Sequence, residues 1–77
     1  MDEDAIVLDL RGLKCPMPVL RARRSLRALS PGARVIVECT DPMAAIDIPH
    51  FAHQDGHVLE GQSTQNGVLT FRLRRGA

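Results

Sequence analysis

Tryptophan and tyrosine are absent from the 77 residues, and phenylalanine occurs twice. A core must therefore be assembled from Leu, Ile, Val, Met and Ala. A chain this short holds a margin of only about 3–5 kcal/mol, so compact elements and short loops are required. There is no length for a second domain, and residues 1–77 read as one domain with a core of about 5–75. Internal repeats, linkers and low-complexity tracts are also missing. With 44% hydrophobic and 25% charged residues, the composition excludes disordered and collagen-like chains. No apolar run approaches the ~20 residues of a bilayer-spanning helix, so no membrane association is expected. The opening Met-Asp-Glu-Asp has neither the basic region nor the apolar region of a secretory leader. The two cysteines, Cys15 and Cys39, allow at most one internal bridge. Together these absences predict a soluble protein of the reducing cytoplasm.

Acids are missing between Leu10 and Val37, a stretch with seven basic residues: Arg11, Lys14, Arg21, Arg23, Arg24, Arg27 and Arg34. Lys and Arg are in turn missing from Glu38 to Glu60, which holds Glu38, Asp41, Asp47, Asp55 and Glu60. Arg72, Arg74 and Arg75 make the C-terminus basic again. The formal net charge of +1 hides this polarity. Such runs are ordinarily solvated faces, and they also steer partners of opposite charge.

Ile6 to Leu10 is long enough for a strand and too short for a helix, and Arg11-Gly12 ends it. From Val19, the apolar positions Val19, Ala22, Leu26 and Leu29 keep a helical spacing with one buried stripe, and Ser30-Pro31-Gly32 stops the helix. The β-branched run in Arg34 to Cys39 reads as a second strand, parallel to the first through the helical crossover. Pro49 would clash with the carbonyl of Ala45 in a helix starting at Asp41-Pro42, which predicts a turn over Asp41 to Ile46. A second helix then starts with Asp47 as N-cap, faces Ile48, Phe51 and Ala52 to the core, and ends at Gly56. Val58 to Ser63 and Val68 to Arg74 form a hairpin through Gln65-Asn66-Gly67, with Leu69, Phe71 and Leu73 on its buried face. The order βαβαββ predicts an α/β (α+β) two-layer sandwich, two helices on one face of a mixed four-stranded sheet.

Cys15-Pro16-Met17-Pro18 stands where the first strand hands over to the first helix. With Cys15 as N-cap, Pro16 falls at N1 and Pro18 at N3, where a missing N–H costs nothing. A thiol at a helix N-terminus, with Arg11 and Lys14 nearby, is expected to favour the thiolate. The alternative is a small buried cysteine at a strand end, the commonest role of a free thiol. The rigid turn made by the two prolines favours reactivity, since a merely buried cysteine has no need of it.

The run Leu8-Asp9-Leu10-Arg11-Gly12-Leu13-Lys14-Cys15-Pro16-Met17-Pro18 is followed by Asp41-Pro42 and then Asp47-Ile48-Pro49. In these motifs, over Leu8 to Arg75, the chain resembles the TusA-like sulfur carriers, also called the SirA-like family. The resemblance implies a βαβαββ two-layer fold. It further implies that Cys15 accepts sulfane sulfur as a persulfide from a donor such as a cysteine desulfurase, itself a PLP enzyme, and passes it to an acceptor protein. A carrier of this kind holds no cofactor of its own and acts with a donor enzyme rather than as a stand-alone catalyst. Arg11, Gly12, Lys14, Pro16, Met17 and Pro18 would support the turn, and Arg21, Arg24, Arg27, Asp41 and Asp47 are candidates for binding partners. Relatives in tRNA thiolation carry glutamate where this chain has Met17, which weakens that pathway without touching sulfur carriage. Other branches serve sulfur oxidation, molybdenum-cofactor assembly or selenium metabolism.

Cys39 reads as a buried core residue, with a resolving thiol for Cys15 as the alternative. His50, His53 and His57 lack a convincing tetrahedral set, so no metal site is expected. Asp41 and Asp47 read equally well as turn and N-cap residues. Arg34, Arg72, Arg74 and Arg75 are candidates for a basic strip on the open sheet face, but no aromatic stands beside them to stack on bases, so nucleic acid is not an expected partner. The helix-one arginines, taken to flank the Cys15 end, are better placed to dock an acidic partner. Two rival functions remain: a regulatory or adaptor module that only makes contacts, and a small thiol redox protein using both cysteines.

Overall fold

The computed structural model describes residues 5–76. Its elements run β1 (Ile6–Leu10), α1 (Met17–Arg27), β2 (Arg34–Cys39), α2 (Ala44–Gln54), β3 (Val58–Gln65) and β4 (Val68–Arg74). The strands lie in the order β1-β2-β4-β3. β1 and β2 are parallel with Leu10 opposite Cys39, whereas β4 runs antiparallel to both β2 and β3. This is the mixed four-stranded sheet with helices on one face that the element order implies.

The alternation of β2 and β4 decides which face the helices cover. Val35, Val37 and Cys39 stand opposite Leu73, Phe71 and Leu69, so all six side chains point to one side. There they meet Ala22 and Leu26 of α1 and Ala44, Ile48, Phe51 and Ala52 of α2. Among the described residues the core contains no buried polar or charged side chain. Asn66 and Gly67 both take positive φ, 51° and 79°, the pair of left-handed residues that a tight two-residue hairpin turn requires. β3 extends to Gln65, two residues beyond the Ser63 expected from sequence, because the pairing continues through Thr64 and Gln65 up to that turn.

Both helix starts differ from the sequence expectation. Pro16, not Cys15, is the N-cap of α1, because the Pro16 carbonyl accepts the first helical bond, from Leu20 N at 3.2 Å. Met17 is therefore N1 and Pro18 N2, and the thiol sits one residue before the helix. The Cys15-Pro16 peptide is cis.

α2 runs straight through Pro49, with Met43 as its N-cap, so the break over Asp41 to Ile46 and the N-cap role of Asp47 are both overturned. The buried stripe gives the reason. Ala44, Ile48, Phe51 and Ala52 sit at i, i+4, i+7 and i+8, a spacing that continues across the proline, and burial of that stripe outweighs the donor Pro49 lacks. The loop ahead of the helix also organises its first turn. Asp41 Oδ1 accepts from Met43 N at 3.2 Å, and the Asp41 carbonyl accepts from Ala44 N at 2.9 Å. At the other end Gly56 takes φ +77°, and His57 N donates to Ala52 O at 2.8 Å, a Schellman-type stop.

Pro49→Ala is expected to stabilise the protein by about 1–2 kcal/mol. Restoring a helical donor recovers most of the ~3 kcal/mol cost of an interior proline, and the freer unfolded chain takes back up to ~1 kcal/mol. A rise in Tm by several degrees in a thermal melt checks this, and a fall would show that the Pro49 ring is needed for packing.

The expected basic strip is not a continuous cationic face. Arg34 and Arg74 converge on Glu60, at 3.3 and 3.1 Å. Arg75 turns to the helical layer, where its Nε donates to Leu26 O at 2.7 Å. No helix among the described residues is long and apolar enough to cross a membrane.

Candidate functional site

β1 and β2 are parallel, so the loops that follow them emerge side by side at one end of the sheet. Two hydrogen bonds stitch these loops together. Gly12 N donates to Thr40 Oγ1 at 2.8 Å, and Cys15 N donates to Asp41 Oδ2 at 2.6 Å. Gly12 adopts φ +84°, a conformation that glycine takes without strain. Asp41 thus holds the backbone of Cys15 with one oxygen and the start of α2 with the other. These two bonds, with help from the Lys14 charge, keep the Asp41 carboxyl below the usual carboxylate range.

A depressed folded-state pKa contributes stability that is present above the ordinary carboxylate pKa of about 4 and is lost as pH falls through the folded value. Asp41→Asn is therefore expected to flatten the acid side of the stability–pH curve. Denaturant melts of both proteins between about pH 2 and 6 check this, and an unchanged acid limb would show that Asp41 adds no linkage.

Cys15 is an exposed free thiol, and Cys39 is a buried one. Cys15 stands at the mouth of a cleft of about 210 Å³ between the helices. Pro16, Val19 and Arg23 line one wall, and Asp47, His50, Phe51 and Gln54 the other. Arg23 ties the two walls together: its Nε donates to Asp55 at 2.8 Å while its guanidinium lies 5.2 Å from the centre of the Phe51 ring. Met17 at the start of α1, and Met43 and Ile46 at the start of α2, are exposed.

The electrostatics at Cys15 reverse the sequence expectation. The carboxylate of Asp47, carried in the first turn of α2 and lining the same cleft, pushes the Cys15 pKa up instead of down, and desolvation and the Asp41 charge act in the same direction. Arg11 does not offset them, because its guanidinium is paired with Asp9 at 2.8 and 3.0 Å and holds that carboxyl down to about 2. Cys39, at the end of β2, is fully buried, and burial, with the Asp41 charge, pushes its thiol up to about 11. The core-residue reading of Cys39 holds.

The other candidates spread out. Arg24 and Arg27 belong to the last turn of α1, roughly 10 and 15 Å along the axis from its Cys15 end, so they complement the helix C-terminus and do not flank the thiol. His57 Nδ1 accepts from Gly76 N at 3.0 Å, His53 sits in the last turn of α2, and His50 lines the cleft. No group of three potential metal ligands occurs among the described residues. Sequence reasoning missed Arg23, His50, Phe51 and Gln54 as cleft residues. Continuing the helical spacing of Asp47, His50, Phe51 and Gln54 back from Gly56 would have put them on one side of α2.

The family model described as Sulfurtransferase TusA matches residues 6–75. The chain belongs to the TusA family. Among its relatives, a protein of Neisseria meningitidis serogroup A is 46% identical to this TusA-family chain over 63 residues, 82% of this chain and 85% of that protein. The sulfur carrier protein TusA of Allochromatium vinosum is 38% identical over 68 residues, 88% of this chain and 90% of that one. The crystal structure of the SirA-like protein from Desulfitobacterium hafniense superimposes with a TM-score of 0.81 at 29% identity, covering 94% of this chain and 99% of that one. The TusA-family fold expected from the motifs is thus the fold observed.

Proposed function

We propose that this protein is a sulfur carrier that accepts sulfane sulfur on Cys15 as a persulfide and delivers it to a partner protein. The observation that carries this reading is the contrast between the cysteines: Cys15 is exposed at the cleft mouth in a turn held by Asp41, while Cys39 is sealed in the core. Names of relatives support it, since the Allochromatium vinosum protein is called a sulfur carrier. In loading, Cys15 Sγ attacks the terminal sulfur of a donor persulfide. The Sγ–S bond forms, the donor S–S bond breaks, and its electron pair leaves on the donor sulfur. Sulfur moves without an external oxidant provided that the donor already carries sulfane sulfur, as a PLP-dependent cysteine desulfurase does in its persulfide form, and the acceptor is a partner protein. The chain holds no cofactor in this scheme.

Incubation with a cysteine desulfurase and cysteine tests the reading. Intact-protein mass spectrometry is expected to show the gain of one sulfur, removed by reductant. No gain with the enzyme or with a low-molecular-weight persulfide would leave the adaptor reading in its place.

A further inference from the structure

Asp47 is a half-buried carboxylate on the cleft wall, and no ion pair reaches it among the described residues. The acids nearest it in the fold are already engaged: both Asp41 oxygens accept backbone N–H groups, and Asp55 holds Arg23. A carboxylate partly withdrawn from water gains most from a cation, and this one has its face to the cleft without one. Arg23, which lines the same cleft, is also incompletely used. Its Nε and Nη2 donate to Asp55 at 2.8 and 3.5 Å, while Nη1 makes no hydrogen bond among the described residues.

The two groups are met in a definite order. Because β1 and β2 are parallel, α1 and α2 both set out from the Cys15 end of the sheet. Asp47 lies in the first turn of α2, near that end, and Arg23 stands roughly 9 Å along α1. A ligand whose sulfur meets Cys15 therefore finds a carboxylate first and a guanidinium deeper in, with Pro16, Val19 and Phe51 as apolar walls. The volume of about 210 Å³ is below the ~300–1,000 Å³ of drug-sized sites and suits a molecule of amino-acid size.

We propose that the cleft binds an α-amino-acid persulfide, cysteine persulfide being the simplest, with its ammonium on Asp47, its carboxylate on Nη1 of Arg23 and its outer sulfur at Cys15. Such a molecule carries both charges on the carbon a short way behind the sulfur, in the order that the cleft presents their partners. The proposal rests on the sulfur-acceptor role given to Cys15 above and adds a small donor that loads the thiol without a donor protein. The step balances: Sγ attacks the outer sulfur, the Sγ–S bond forms, the S–S bond of the ligand breaks, and its electron pair leaves on the inner sulfur. The proton lost by the Cys15 thiol ends on that departing thiolate, so free cysteine leaves and neither oxidant nor reductant is consumed.

The test loads the protein from three synthetic donors, with intact mass as the readout: cysteine persulfide, cysteamine persulfide, which lacks the carboxylate, and mercaptoethanol persulfide, which lacks both charges. Each rate at low donor concentration is divided by the rate of the same donor with N-acetylcysteine, so that intrinsic reactivity cancels. Cysteine persulfide is expected to exceed mercaptoethanol persulfide by about tenfold, with cysteamine persulfide between them. Asp47→Asn is expected to erase the advantage of cysteamine over mercaptoethanol persulfide. Arg23→Lys, which keeps a cation for Asp55, is expected to erase the advantage of cysteine over cysteamine persulfide. Val19→Phe fills the cleft without touching either charge and is expected to bring all three donors level. Ratios between donors are compared because any change in the thiol itself affects the three alike. Equal normalised rates in the wild type, or a preference that survives all three substitutions, would overturn the proposal. So would an Asp47→Asn protein that slows only with a cysteine desulfurase, since Asp47 would then meet a basic group of a partner protein. Failure of the wild type to load from any donor, small or enzymatic, would instead defeat the carrier role of Cys15, an outcome visible before the variants are compared.

Discussion

Cys15→Ser is expected to take up no sulfur from any donor while melting at the wild-type temperature. The thiol is exposed and outside both helices, and its replacement disturbs neither the core nor the Cys15 N–H bond to Asp41, which the backbone supplies. Cys39→Ser is expected to do the reverse. Its hydroxyl would be sealed among Val37, Leu69 and their neighbours, where an unpartnered polar group costs about 1–3 kcal/mol, yet each folded molecule would still load one sulfur. Intact mass and a thermal melt on the same samples check both statements. The pairing discriminates between the three readings of the chain. A redox protein working through a Cys15–Cys39 bridge would lose function with either substitution, and a contact-only adaptor would keep its function with Cys15→Ser.

Phe71→Ala is expected to leave most molecules unfolded at room temperature. Phe71 is fully buried at the centre of β4, opposite Val37 on β2 and Gln62 on β3, and it is one of only two aromatic side chains in the protein. Truncating a buried phenylalanine costs about 3–5 kcal/mol, the whole stability margin of a domain this small. Circular dichroism at 25 °C checks this, with Phe71→Leu expected to remain folded because it fills most of the same volume. A cooperative melt for Phe71→Ala close to that of the wild type would mean that the core collapses around the gap.

The parts of the fold that could be read from sequence are those in which local chemistry and tertiary packing agree. β1, β2 and β4 were expected with the bounds observed, since β-branched runs and the alternation of Leu69, Phe71 and Leu73 have one satisfactory arrangement on a half-buried sheet. The Asn66-Gly67 turn was legible because positive φ at two successive residues leaves few other sequences. α2 was misread because Pro49 speaks locally for a break, and the evidence against it, a stripe reaching back to Ala44, depends on what the helix packs on.

The same displacement hid the chemistry of the site. With Asp47 placed outside the helix as a cap, nothing suggested that it lines one cleft with Cys15, 32 positions earlier in the chain. The bases near Cys15 in sequence then appeared to govern the thiol. In three dimensions Arg11 is bound to Asp9, Asp41 holds the backbone of Cys15, and Asp47 lines the same cleft as the thiol. Sequence proximity misjudged the electrostatics at Cys15.

The central claim is that Cys15 is the residue that carries sulfur. The measurement that meets it most directly loads the wild-type protein with a cysteine desulfurase and cysteine, traps the persulfide with an alkylating reagent, and locates the extra sulfur by fragmentation mass spectrometry. The account predicts one additional sulfur on Cys15 and none on Cys39. Sulfur found on Cys39, or a Cys15 that alkylates only as the bare thiol after exposure to an active donor, would contradict it.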